Sequence, residues 1–190
     1  MTAFTPLSLP EVILAIPVRH GDARGYFSET YVQPLYAANG IAAHFVQDNE
    51  SLSALPGTVR GLHLQAPPFA QAKLVRVLAG AIFDVAVDVR KGSPTYGSWA
   101  GARLTAEGGE QLFVPHGFAH GFCTLAPGTR VAYKVDAVYD RASERGILWS
   151  DPDIAIDWTL GDGEKILSDK DKVLPCLKDF DSPFVYGAAC

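Results

Sequence analysis

Short apolar segments separated by turn residues run along most of the chain. They are rich in Val, Ile, Phe and Tyr and are bounded by Gly, Pro, Asn or Asp, a pattern that is typical of β-strands. Between residues 83 and 89, apolar side chains at the odd positions alternate with Asp84, Ala86 and Asp88, which is the period of two expected of a strand. The predicted strands cover residues 12–17, 25–31, 45–51, 58–65, 73–79, 81–89, 98–104, 111–114, 120–125 and 129–138.

Helical patterns are few. Only residues 34–39, which end at Gly40, and residues 168–172 predict helices. Regularly spaced strands with so few helices are typical of a β-sandwich or a closed β-barrel. We therefore predict an all-β fold with a few short peripheral helices. No repeat or linker divides the 190 residues, so we expect a single domain over residues 1–190 with a proline-bearing tail from about residue 175.

Composition and charge narrow the range of functions. A net charge of −5 and a pI near 5.5 disfavour nucleic acid as a partner. No run of 18 apolar residues predicts a membrane span, and residues 1–10 lack the regions of a signal peptide, so we expect a cytoplasmic location. Cys123, Cys176 and Cys190 are odd in number and widely spaced, which argues against a disulfide framework and against a zinc knuckle.

Two histidine-bearing segments are the candidates for chemistry. They read Arg-Gly-Leu-His-Leu-Gln at 60–65 and Pro-His-Gly-Phe-Ala-His-Gly-Phe at 115–122, and they resemble the two motifs of a cupin, a small jelly-roll β-barrel. A metal-binding cupin has His-x-His and then Glu in its first motif, whereas here Gln65 replaces the second His and Lys73 lies where a carboxylate is needed. Because an ammonium group opposes a bound cation, we predict an organic or anionic site without a metal.

The spacing of the charged residues makes a local structural prediction. Arg60 and His63 are three residues apart, so a regular strand would turn them to opposite faces. They reach one pocket only if the chain bulges near Gly61, a residue type that permits this. Lys73 and Arg76 are also three apart, and we expect Arg76 on the solvated face. Taken alone, His63 would more often be a core histidine than a catalyst.

The chain as a whole resembles the dTDP-4-dehydrorhamnose 3,5-epimerase family. The matching segments follow one another in order, without large gaps, from about residue 10 to residue 175. In the first half they are Asp-Ala-Arg-Gly-Tyr-Phe-Ser-Glu at 22–29, Gln-Asp-Asn-Glu-Ser at 47–51, Val-Arg-Gly-Leu-His-Leu-Gln at 59–65, Gln-Ala-Lys-Leu-Val-Arg-Val at 71–77 and Phe-Asp-Val-Ala-Val-Asp at 83–88. They continue with Ser-Pro-Thr-Tyr-Gly at 93–97, the segment at 115–122, Tyr-Lys at 133–134, Tyr139, Ser-Glu at 143–144, Trp-Ser-Asp-Pro at 149–152 and Leu-Ser-Asp-Lys-Asp at 167–171. The resemblance implies a cupin-fold homodimer that uses no metal and no other cofactor.

The resemblance also implies a substrate and a set of catalytic residues. The substrate of the family is a dTDP-linked 4-keto-6-deoxy sugar, whose C4 ketone acidifies the C–H bonds at C3 and C5. One group removes the proton, a second stabilises the enolate, and a third returns a proton on the opposite face. By resemblance, His63 is the base, Asp171 orients and polarises it, Tyr133 is the acid, and Lys73 is the cation near the enolate oxygen.

A further set of residues is implied to bind the substrate. These residues are Arg24, Phe27, Glu29, Gln47, Asp48, Asn49, Arg60, His120, Tyr139, Glu144 and Lys170. Arginine suits a diphosphate because its planar fork donates two hydrogen bonds at once, and Phe27 and Tyr139 match aromatic residues that flank the thymine. The family's N-terminal arm, here about residues 1–30, crosses to the partner subunit, so Arg24, Phe27 and Glu29 are expected to serve the neighbouring site.

The motifs leave alternatives open. A mono-epimerase that acts at C3 or C5 alone needs the same base and acid. A non-catalytic cupin that binds a nucleotide or sugar is a second alternative, although a binder has no need of the full acid–base set. A metal-dependent cupin oxygenase is a third. No role is predicted for the tail beyond residue 180 or for Cys190.

Overall fold

The computed structural model describes residues 1–159, 163 and 165–188, so Cys190 lies outside the described residues. Most strands belong to two antiparallel sheets. The first sheet has the order β1 (Ala3–Pro6), β2 (Ile13–Ile16), β10 (Gln111–Val114), β7 (Lys73–Ala79), β12 (Thr129–Val135) and β5 (Gln47–Ser53). The second has the order β13 (Glu144–Gly146), β6 (Val59–Gln65), β11 (Phe118–Thr124), β8 (Ala81–Asp88) and β9 (Trp99–Thr105).

The two sheets pack face to face over a shared apolar core. Val75 and Val131 of the first sheet belong to the same buried cluster as Ile82 and Phe122 of the second. Strand β8 is buried along almost its whole length on both faces. The alternation that predicted this strand therefore separates two buried environments, and an aspartate such as Asp84 lies in the interior rather than in solvent.

The prediction of an all-β fold with a few short helices is confirmed. The helices are α1 (Gln33–Ala37) and two 3-10 turns, Asp171–Val173 and Leu177–Asp179, and no helix in the described chain is long and apolar enough to cross a membrane. The strands predicted at 73–79 and 111–114 have the predicted bounds. The prediction at 129–138 was too long, because the ladder to both neighbours ends at Val135.

Three short strands were not predicted, and one predicted strand is shorter than expected. β1, β13 and β3 (His20–Asp22) have three or four residues each, which is too short to show a period. The strand predicted at 25–31 is only β4 (Gly25–Phe27), which pairs with β3 to form a hairpin. This β3–β4 hairpin is exposed along both strands.

The bulge predicted near Gly61 is confirmed. His63 lies opposite His120, whereas Arg60 lies opposite Phe122, so strand β6 holds one residue more than β11 between the two pairs. Gly61 has φ of +140°, and a Cβ there would lie 2.5 Å from the Cα of the neighbouring strand's glycine. Only glycine fits so close an approach. The extra residue turns Arg60 and His63 toward the same cavity.

Candidate active site

A cavity of about 400 Å³ lies between the two sheets. Residues of both sheets and of the segment that follows residue 165 line it, namely Ser51, Thr58, Val59, Arg60, His63, Lys73, His120, Phe122, Tyr133, Ile166, Leu167, Ser168, Lys170 and Asp171. A smaller cavity of about 150 Å³ adjoins it, since the two share His63, Lys73 and Tyr133. The smaller cavity is lined in addition by Asn49, Leu64, Gln65, Gln71, Tyr139 and Glu144.

His63 and Asp171 form a hydrogen-bonded pair in the wall of the larger cavity. The His63 Nε2 atom lies 2.7 Å from the Asp171 carboxylate, which is almost completely buried. Burial alone would raise the pKa of Asp171, but the hydrogen bond and charge of His63, helped by Ser168, hold this pKa below its usual range. An ionised carboxylate only accepts hydrogen bonds, so Nε2 carries a hydrogen, and in the neutral imidazole Nδ1 carries the lone pair.

The segment that carries Asp171 is fixed by a second buried aspartate. Asp151 accepts the backbone N–H of Leu177 at 2.6 Å and the N–H of Ile154 at 3.1 Å. At the start of the 3-10 turn, the Ser168 hydroxyl accepts the N–H of Asp171 at 3.2 Å. These bonds hold Asp171 against His63, although 108 residues separate the two along the chain.

A second histidine–aspartate pair faces the same cavity. His120 Nε2 lies 2.7 Å from Asp84, and both side chains are buried. Burial lowers the pKa of His120 against the opposing attraction of Asp84, which favours the neutral imidazole. His120 is the ladder partner of His63. Asp84 was not among the predicted site residues, although it is one of only two charged residues in strand β8, a feature that could have indicated it.

Lys73 and Tyr133 come from the opposite sheet. Lys73 is 8% exposed, and burial lowers its pKa to about 8 against the attraction of Asp84 and Glu144. Burial also raises the pKa of Tyr133, while the charge of Arg60 partly opposes this. The phenol therefore remains protonated at neutral pH and is able to donate its proton. The cavity thus has the histidine predicted as the base on one wall and the tyrosine predicted as the acid on the other.

Gln65, in the position of a cupin metal ligand, holds a loop in place. Its amide nitrogen donates to the carbonyl of Phe69 at 2.6 Å and to that of Val138 at 3.2 Å, and its oxygen accepts the N–H of Asp140 at 2.7 Å. These bonds fix the loop that carries Tyr139. Within residues 1–159, 163 and 165–188, no group of three or more His, Cys, Asp or Glu side chains is placed to hold a metal ion.

The rim beside the smaller cavity is a short polar chain. Glu144 accepts hydrogen bonds from the Tyr139 hydroxyl at 3.3 Å and from the Lys170 ammonium at 2.5 Å. Gln47 joins it from strand β5, because its side-chain oxygen accepts the Tyr139 N–H at 3.2 Å and its nitrogen donates to Asn49 at 2.7 Å. The structure thus brings these five predicted substrate-binding residues together.

Comparison with known proteins assigns the family. The family model for dTDP-4-dehydrorhamnose 3,5-epimerase matches residues 6–179. The chain belongs to this family. The dTDP-4-dehydrorhamnose 3,5-epimerase of Sinorhizobium fredii is 52% identical over 183 residues, which cover 96% of this chain and 93% of that protein.

Solved structures of the epimerase family give the same result for the fold. The Legionella pneumophila dTDP-6-deoxy-D-glucose-3,5-epimerase, in complex with dTDP-4-keto-L-rhamnose, is 42% identical with a TM-score of 0.93, and the match covers 99% of this chain and all of that one (100%). The Bacillus anthracis dTDP-4-dehydrorhamnose 3,5-epimerase, with TDP and PPi bound, is 47% identical with a TM-score of 0.88 over 93% of this chain and 99% of that one. The expected cupin-like fold is thereby confirmed.

The relatives also include an enzyme named for one carbon. The dTDP-4-dehydrorhamnose 3-epimerase of Streptomyces niveus is 39% identical over 168 residues, which cover 88% of this chain and 80% of that protein. Its identity to this chain is lower than that of the 3,5-epimerase from S. fredii, at 52%.

Five residues that the epimerase family resemblance assigned to substrate binding line neither cavity. One of them, Gln47, is bonded to Tyr139 at the rim. Asp48 is on the outer face of the first sheet, where it pairs with Lys134 at 2.9 Å. Arg24 and Phe27 are in or beside the exposed β3–β4 hairpin, and Glu29 follows it. The side chain of Arg24 is 90% exposed and pairs only with Asp22 among the described residues.

Proposed function

We propose that the protein epimerises a dTDP-linked 4-keto-6-deoxy-hexose at both C3 and C5 and so forms dTDP-4-dehydro-L-rhamnose. The observation that carries this proposal is the His63–Asp171 pair on one wall of a cavity whose opposite wall holds Tyr133. Epimerisation removes a proton from one face of a carbon and returns one to the other face. A base and an acid on facing walls have the arrangement that this chemistry needs.

Proton removal is the work of His63 in this proposal. Its Nδ1 lone pair takes the proton from the carbon next to the ketone, and the imidazole becomes an imidazolium. The Asp171 carboxylate, bonded to Nε2 at 2.7 Å, stabilises that positive charge and fixes the ring orientation. The electron pair of the broken C–H bond moves into the carbonyl, which becomes an enolate.

Lys73 stabilises the enolate and Tyr133 completes the inversion. The Lys73 ammonium, buried beside the cavity, faces the oxygen on which negative charge develops, and a cation acts most strongly where water is excluded. Tyr133 then gives its phenolic proton to the carbon from the opposite side. Before the second carbon reacts, the His63 imidazolium gives its proton to water and the Tyr133 phenolate takes one from water. Because C3 and C5 flank the same ketone, the same base, acid and cation then serve the other carbon. This chemistry needs no metal, and a nucleotide-linked sugar substrate fits the cytoplasmic location expected from the sequence.

The role of Lys73 predicts an alkaline limit to activity. Burial lowers its pKa to about 8, so the side chain is an ammonium below that pH and loses its charge above it. The value of kcat/KM should therefore fall as the pH rises through about 8. A Lys73→Met variant should be slower at pH 7, and its kcat/KM should not show this alkaline fall. If the alkaline fall persists in Lys73→Met, the assignment of Lys73 as the cation near the enolate oxygen would be contradicted.

A homodimer explains three of the predicted binding residues that line neither cavity. The β3–β4 hairpin is exposed and carries Arg24, a cation without a role in its own chain's cavity. We propose that the hairpin reaches the cavity of a second copy, where Arg24, Phe27 and Glu29 contact the substrate. Asp48 remains on the outer sheet face, and nothing in its position links it to the substrate.

An experiment that mixes two variants of low activity tests this exchange of hairpins. His63→Asn and Arg24→Ala should each be poorly active alone. In a mixed dimer, one site should combine an intact His63 with an intact Arg24 from the partner, so mixing should restore activity. If Arg24 serves its own chain, both sites of the mixed dimer stay damaged, and no recovery would be seen.

The configuration of the product tests the proposed function against its nearest alternative. Incubation with dTDP-4-keto-6-deoxyglucose should give a product inverted at both C3 and C5, read from its proton couplings by NMR. A mono-epimerase would give a product inverted at one carbon only, and a nucleotide-binding protein without activity would return the substrate unchanged.

A further inference from the structure

Strand β5 has an unusual inward face. Gln47, Asn49, Ser51 and Ser53 are spaced by two residues, so they share one side of the strand, and none of them is apolar. In a two-sheet protein the side that meets the other sheet is normally apolar. Here Asn49 lines the smaller cavity and Ser51 lines the larger one. A polar row in this place indicates a surface that receives a polar ligand.

Ser51 is the member of this row that lacks a partner. Gln47 donates to Asn49 at 2.7 Å, and Ser53 accepts a hydrogen bond from Arg60 at 3.2 Å. The Oγ atom of Ser51 is buried and has no hydrogen-bond partner among the described residues. Such orphaned polar atoms are rare, and each requires an explanation, such as a group that binds there. One turn about the Cα–Cβ bond places a serine hydroxyl in another staggered position, so the hydroxyl is able to reach a ligand in the cavity that Ser51 lines.

The charge beside Ser51 identifies the class of ligand. The Arg60 guanidinium lies against β5, where it donates to the carbonyl of Leu52 at 3.1 Å, the residue next to Ser51. Arg60 lines the same cavity, and no carboxylate within the described part of the chain forms an ion pair with it. A guanidinium without a counter-charge and an unpaired hydroxyl together offer the donors that a phosphate group accepts.

We infer that Ser51 binds the diphosphate of the substrate, with its hydroxyl donating to a phosphate oxygen that Arg60 also holds. This inference rests on the proposed function, which supplies the nucleoside diphosphate. The hydroxyl gains in the complex the partner that it lacks in the free protein. Ser51 therefore contributes to affinity, whereas its hydroxyl contributes nothing to the stability of the free protein.

Ser51→Ala tests this inference by two measurements on the same variant. The Kd for dTDP, measured by calorimetry, should rise about tenfold, as expected for loss of a hydrogen bond to a charged group. The Tm of the free protein should not fall, because the removed hydroxyl had no partner. A role in folding alone would give the opposite pair of results.

Ser93→Ala is the matched control. Ser93 is also buried, but its hydroxyl is bonded to Asp88 and it lines neither cavity. This variant should lower the Tm and leave the Kd for dTDP unchanged.

The outcomes separate this inference from the proposed function. If wild-type protein binds dTDP and inverts the substrate while Ser51→Ala binds dTDP equally well, the inference is overturned and the proposed function stands. If dTDP affinity is unchanged but the KM for the keto sugar rises, Ser51 contacts the sugar, and the diphosphate assignment is overturned. If wild-type protein neither binds dTDP nor inverts the substrate, both proposals are overturned.

Discussion

His63→Asn should lower the rate of proton exchange between substrate and solvent by about 10³-fold, the range expected for loss of a general base. Asparagine keeps a polar side chain of similar reach beside Asp171 but has no basic nitrogen. The affinity for dTDP should change little, because His63 acts on the sugar ring and not on the nucleotide. Exchange is measured by NMR in deuterated water and dTDP affinity by calorimetry.

The chain offers a matched control for this variant. His116 also pairs with an aspartate, Asp136, at 3.0 Å, but it lines neither cavity. His116→Asn removes a histidine–aspartate pair of the same kind and should leave the exchange rate close to that of wild type. If His63→Asn exchanges protons as fast as His116→Asn does, His63 is not the base.

Tyr133→Phe should separate the two halves of the reaction. Without the phenolic proton, His63 still removes a proton from the sugar and the enolate still forms. The first proton should therefore continue to exchange with solvent. Return of a proton on the opposite face should slow by about 10²-fold, which is the usual contribution of a positioned acid. Net inversion should therefore fall far more than exchange, and both are measured in one NMR time course.

Tyr139→Phe provides the comparison for that ratio. The Tyr139 hydroxyl donates to Glu144 and lines only the smaller cavity, whereas Tyr133 lines both. Its loss should affect substrate affinity but should leave the ratio of inversion to exchange as in wild type. If Tyr133→Phe lowers exchange and inversion equally, Tyr133 positions the substrate or stabilises the enolate and is not the acid.

Local patterns in the sequence predicted the parts of the fold that depend on neighbours along the chain. Strand β7 has the predicted bounds because its turns and apolar content are both local. The bulge at Gly61 was also predictable, since Arg60 and His63 cannot share a face without it. The three-residue strands β3 and β13 were not, because a strand of that length is defined by its partner and not by its own period.

The candidate site required more than local patterns. His63 and Asp171 are 108 positions apart, so only the resemblance to a family connected them before the structure did. The resemblance gave no role to Asp84. Its burial against His120 depends on how β8 packs between two apolar clusters. The unpaired hydroxyl of Ser51 is a property of the folded chain alone, since sequence does not show which donors remain without acceptors.

The most direct test of the central claim is the position of deuterium in the sugar after reaction in deuterated water. Wild-type protein and dTDP-4-keto-6-deoxyglucose should give deuterium at both C3 and C5, and His63→Asn should give almost none at either carbon. Deuterium at one carbon only would contradict the claim of double epimerisation. Deuterium at neither carbon with wild-type protein would contradict the enzyme mechanism as a whole.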